Sequence, residues 1–161
     1  MAYTIMTSLV GATPIAVSDT SARHAIGTIV EAIDPTYGMG EFIYLNGLAS
    51  TVVGSVVTFD QTNGVTKLAV ANDRGPVAVA MSINIAAQFG WYQIAGASLP
   101  VIAAAVAVNK PAYVTATAGS IDDAVVSTDK IDGFVFKVLG SGAGQGTAVA
   151  QIERPALNGN S

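Results

Sequence analysis

A chain of 161 residues with one histidine and no cysteine has few routes to covalent chemistry. The histidine, His24, has only Asp19 and Arg23 as ionisable neighbours in sequence. A catalytic histidine needs a nucleophile to deprotonate and a carboxylate to orient it, and no G-x-S-x-G elbow is present to supply the first. His24 therefore reads as a capping or surface residue. Without cysteine there is neither a disulfide framework nor a thiolate metal site. The glycine run Gly140-Ser141-Gly142-Ala143-Gly144-Gln145-Gly146 lacks the Lys of a P-loop and the register of a dinucleotide fingerprint. A strand rather than a helix is expected after it, so no helix N-terminus would hold an anion. It reads as a hairpin tip. Asp122 and Asp123, with Asp129 and Asp132 downstream, supply oxygen ligands but match no calcium loop, and read as a solvated acidic loop. Glu31 with Glu41 is a carboxylate pair of the type glycoside hydrolysis uses, and nothing else in the sequence supports that chemistry. The expectation is a protein that is not an enzyme and uses no cofactor and no metal.

Surface recognition is the remaining class, and aromatic residues are its usual anchors. Trp91 and Tyr92 are neighbours in a strand-like run, so their rings point to opposite faces. Either one faces outward as an anchor or both are covered within the chain. The candidate interface set is Tyr3, Ile5, Leu9 and Val10 near the N-terminus, with Tyr37, Trp91 and Tyr92 in the body. Exposed Tyr37, Trp91 and Tyr92 would also stack on sugars, which makes a glycan- or receptor-binding fibre head the alternative function.

The elements that must position these residues are strands. Residues 28–33 (TIVEAI) are rich in branched side chains. Residues 41–45 (EFIYL) are apolar on both alternating faces. Residues 55–59 (SVVTF) run into Asp60-Gln61-Thr62-Asn63-Gly64, a turn signal, and residues 66–71 return. Residues 77–81, 89–94, 113–117, 134–139 and 148–152 continue the pattern, with turns every 8 to 12 residues or so. Only residues 18–25 (SDTSARHA) have helical character. The reading is all-β, a compact barrel or sandwich of about ten short strands with an extended N-terminal arm, although residues 1–17 are equally compatible with a first strand of the body. The divisions are an arm and linker over 1–26, a body over 27–153 and a short polar tail over 154–161.

Composition narrows the partners. Charged residues are 11% of the chain, against about 25% in an ordinary soluble protein, and mean hydropathy is +0.52. Seven basic and eleven acidic residues give a net charge of −4, which argues against binding a row of phosphates. No apolar run reaches the roughly 20 residues of a membrane-spanning helix, so no membrane is expected. The stretch before Arg23 has no Lys or Arg, and so lacks the charged start of a signal peptide. A monomer of this mass exposes about 7,400 Å2. Eighteen charged side chains are few for that area, and obligate interfaces are depleted in Lys, Glu and Asp. A subunit of an assembly is the expectation.

The run Gly40-Glu41-Phe42-Ile43-Tyr44-Leu45 followed by residues 49–58 (ASTVVGSVVT) resembles the small capsid decoration, or cement, proteins of tailed bacteriophages. So does Gly75-Pro76-Val77-Ala78-Val79-Ala80 leading into Gln88-Phe89-Gly90-Trp91-Tyr92-Gln93-Ile94-Ala95-Gly96. The likeness covers about residues 27–152. It implies a β-rich virion structural protein without enzymatic activity that binds the outer surface of the major capsid protein shell. It also implies a homotrimer that stabilises the capsid against internal DNA pressure, assembled in the host bacterial cytoplasm. The lack of cysteine suits a reducing compartment.

Overall fold

A computed structural model describes residues 1–9, 11–138 and 146–158. In chain order the strands are β1 (Thr4–Ile5), β2 (Ile29–Asp34), β3 (Gly38–Asn46), β4 (Val56–Phe59), β5 (Thr66–Leu68), β6 (Gly75–Ala80) and β7 (Phe89–Ser98). They continue with β8 (Val101–Ile102), β9 (Pro111–Val114), β10 (Ile121–Asp122), β11 (Lys130–Phe136), β12 (Gly146–Thr147) and β13 (Ala150–Leu157). A single turn of 3-10 helix, Ser127–Asp129, is the only helical element among the described residues. The fold is all-β, as expected. The strands form one sheet in a sandwich-like arrangement that does not close into a barrel.

Alternation along β3 builds two cores at once. Phe42 and Tyr44 point to one side, where they meet Ile15, Val30, Ala32, Met81 and Trp91. Ile43 and Leu45 point to the other and meet Val57, Ala78, Ala80, Tyr92 and Ile94. A third core fills the space among β4, β6 and the strands from β8 onward, around Phe134, Phe136, Ile102, Ile121 and Ile152. Strand β6 serves all three, because Val77 and Val79 enter the third core, Ala78 and Ala80 the second and Met81, just past its end, the first.

Two long strands join these regions. Along one edge β7 pairs with β3; along the other it pairs first with β6 and then with β13. Strand β13 in turn passes from β7 to β6 while pairing with β11. A strand that changes partners must bend. The β3–β7 register shifts between Glu41 and Phe42, close to Gly96 at φ +101°. The β11–β13 register shifts between Asp132 and Phe134, across Gly133 at φ +73°. At the first bend the buried amide of Gln93 donates to the carbonyls of Ala95 (3.1 Å) and Ala97 (2.8 Å).

Several sequence expectations are corrected here. Residues 18–25 form no helix; Asp19 instead makes an antiparallel bridge with Phe89, because paired backbone and a buried carboxylate outweigh a weak local propensity. The N-terminal segment is not free of the body. Thr4 and Ile5 pair with Ile33 and Ala32 of β2, and Ile15 is 2% exposed. The last strand runs through Arg154 and Pro155 to Leu157, so the polar tail starts at Asn158 rather than at residue 154. The expected glycine hairpin tip lies largely outside the described residues; Gly146 begins β12, which pairs with β8.

Candidate functional site

Two places in the molecule gather groups that could act on something else. The first surrounds His24. The backbone N–H of Thr13 donates to His24 Nε2 at 3.3 Å, and the Thr13 hydroxyl lies 3.5 Å from the same nitrogen. Thr13 Oγ1 donates to Asp19 Oδ2 at 3.2 Å, and the Tyr44 hydroxyl donates to the same oxygen at 2.7 Å. Arg23 pairs with the other carboxylate oxygen at 3.2 Å, and Trp91 Nε1 donates to the carbonyl and hydroxyl of Thr13. The imidazole sits against the rings of Tyr44 and Trp91.

This cluster contains a hydroxyl, an imidazole and a carboxylate, but in the wrong order for hydrolysis. A triad needs the carboxylate on the far nitrogen of the histidine, with the histidine taking the nucleophile's proton. Here Asp19 accepts from the hydroxyl itself and from Tyr44, and Thr13 is 8% exposed. The arrangement fastens residues 13–24 to the first core. Burial, with the Asp19 carboxylate against its hydroxyl, pushes the Tyr44 phenol up to about 12, so it remains a donor across the physiological range. Burial likewise raises Tyr3 to about 12, where its hydroxyl donates to Ala97 O at 3.1 Å beside the β7 bend.

The second place is a sheet face. Its neighbour, the second core, is roofed by β4 and β5 over Leu45 and Tyr92. Beyond that roof the face is open. Ile29 and Ile33 of β2 are each 42% exposed, and Met39 of β3 is 65% exposed. Cross-strand pairs Ile29–Ile43, Glu31–Glu41 and Ile33–Met39 line up along β2 and β3. Where the roof ends lies a groove of 630 Å3, lined by Ile29, Ile43, Phe59 and Ile94 together with Asp60, Gln61 and Arg154. Across Glu31 and Glu41 is a smaller hollow of 170 Å3, bordered by Met6 and Met39.

Of the sequence-predicted interface set, Tyr3, Ile5 and Leu9 are half-buried against their own first core, with the Tyr3 ring 4.7 Å from that of Phe42. Val10 lies outside the described residues. Tyr37 is half-buried in the turn after β2, where its N–H donates to Asp34. Trp91 and Tyr92 do point to opposite faces, yet each is 0% exposed, because both faces of β7 are covered there. Neither ring is an interface anchor, which corrects that part of the expectation. The acidic loop also disperses. Asp123 accepts from the N–H of Ala107, Asp129 from Asn72, and Asp132 bonds Lys130 and Asn158, which hold its carboxyl below the usual range.

Among the described residues no group of three or more His, Cys, Asp or Glu is arranged to hold a metal ion, and no helix is long and apolar enough to cross a membrane. Sequence reasoning missed the Thr13–Asp19–Tyr44 network, whose partners are up to 25 residues apart. It also missed the open face, which exists only once register is set. Comparison with protein-family models and with curated proteins gives no match for this chain.

Proposed function

We infer that this chain is a non-enzymatic virion structural protein that binds the outer surface of an assembled capsid shell and reinforces it. The observation that carries this reading is the open β2–β3 face, which presents Ile29, Ile33 and Met39 beside a groove of mixed apolar and polar lining. Exposed apolar side chains gathered on one sheet face, here on either side of the Glu31–Glu41 pair, mark an interaction site. A cement protein needs area rather than chemistry, and the inverted order of the His24 cluster fits that division. The resemblance of residues 27–152 to decoration proteins supports the same conclusion. Several copies joined in one oligomer would add modest contacts into slow release through effective concentration. The glycan-binding alternative loses two of its three aromatic residues, since Trp91 and Tyr92 are enclosed and only Tyr37 is partly exposed.

The test is occupancy of purified shells. Full-length protein mixed with decoration-free phage capsids is expected to co-sediment with them and to appear as density on their outer surface. Protein that stays wholly in the supernatant with every shell tried would overturn the reading.

A further inference from the structure

The open face carries a charge pattern that folding does not require. The chain has three glutamates, Glu31, Glu41 and Glu153. All three fall on one row across the sheet. Glu31 of β2 is the register partner of Glu41 of β3, Glu41 of Ala95 of β7, and Ala95 of Glu153 of β13. Neighbouring strands are about 4.8 Å apart, so Glu31 and Glu41 are immediate neighbours and Glu153 sits two strands further on. Like charges directly opposite on adjacent strands are destabilising. Arg154 reaches back to Glu41, with Nη2 to Oε2 at 2.6 Å, from a backbone at φ +42°. Glu31 and Glu153 have no cation partner among the described residues. The row is flanked along β2 by Ile29 on one side and Ile33 on the other.

We propose that this face docks an extended segment of the shell protein in which a Lys or Arg is flanked, two residues away on each side, by apolar side chains. This deepens the decoration reading and rests on it for the identity of the partner. The period of two matches because Ile29, Glu31 and Ile33 project from one face of β2, and an extended partner repeats with the same spacing. The cation meets the carboxylate row. One apolar residue enters the 630 Å3 groove and the other covers Ile33 and Met39. A second copy of the same face is disfavoured as occupant, since it would set glutamates against glutamates.

Two measurements test this. In the first, the full isotope-labelled chain is titrated with a Leu-Thr-Lys-Thr-Leu peptide and with the same peptide carrying Glu at its centre. Amide shifts are expected at residues 29–33, 39–43 and 153 with the Lys peptide alone, weakening as salt is raised. The double variant Glu31→Gln/Glu153→Gln is expected to bind the peptide about tenfold more weakly. Its melting temperature is expected to be unchanged or higher, because repulsion is relieved. Equal shifts with the Glu peptide, shifts on another surface, or concentration-dependent shifts of this face without peptide would each overturn the proposal. In the second, Glu31→Lys/Glu153→Lys is mixed with shells. Wild-type binding with undiminished binding of this variant sinks the docking proposal and leaves the decoration reading standing. Peptide mapping to the face with no shell binding overturns the decoration reading and with it the shell protein as occupant, and leaves only the sequence chemistry the face selects.

Discussion

Removing the Trp91 ring shows what single side chains do here. It is fully enclosed, packs on Tyr44 with ring centres 5.1 Å apart, and donates to Thr13. Trp91→Ala leaves a cavity and an unpaired Thr13 carbonyl, and is expected to cost about 3–5 kcal/mol by chemical denaturation. A cost below about 1 kcal/mol would mean that residues 13–15 are not seated as described. Gly96→Ala is a second case. At φ +101° a side chain is strained, and a Cβ would lie 2.4 Å from the Met39 carbonyl oxygen. The substitution is expected to destabilise by more than about 1 kcal/mol, and a neutral effect in a melt would show that the bend relaxes. Tyrosines Tyr3 and Tyr44 give a pH signature. Their folded values near 12 exceed the unfolded value of about 10, so the folded state holds these protons more tightly. That part of the stability is complete below about pH 10 and is lost as pH rises through about 12. Denaturation midpoints that stay flat from neutral pH to pH 12 would contradict it.

At the scale of elements, the N-terminal segment is the informative piece. Two residues of pairing in β1 would not hold it alone. It is held by Ile15 in the first core, by the Tyr3 hydroxyl on Ala97, and by Asp34, which accepts from the backbone N–H groups of Ala2, Thr36 and Tyr37. Burial alone would raise the Asp34 carboxyl, but those three N–H donors more than offset it and hold its pKa below the usual value. Deleting Met1–Val17 would therefore uncover Phe42 and Trp91. The truncated protein is expected to melt several degrees lower than the full chain. An unchanged melting temperature would restore the picture of a free arm. The same reasoning explains why the helix expected over 18–25 is absent. A short polar stretch has little to gain from one or two helical turns, whereas Asp19 gains a bridge to Phe89 and three side-chain partners.

For the whole molecule, the accessible surface is 7397 Å2, close to the value expected of a compact monomer of this mass. Low charge is thus spread over an ordinary area, and four ion pairs among the described residues already use several of the charges. What remains is a surface with little to repel a neighbour. Self-association is expected, with a trimer in sedimentation; a mass near 16.2 kDa at micromolar concentration would remove that part of the account.

The sequence by itself determined the β class, most strand positions and the two-faced nature of β3. Alternation with period two is a local property, and residues 41–45 carry it without outside help. It also determined how poor the chain is in catalytic groups. It did not determine that Trp91 and Tyr92 are both enclosed, because alternation assigns faces but not what covers them. Nor did it determine that Glu31, Glu41 and Glu153 share one row, although 122 positions separate the first from the last. Strand register and the bends at Gly96 and Gly133 decide that, and both follow from how three cores are packed together.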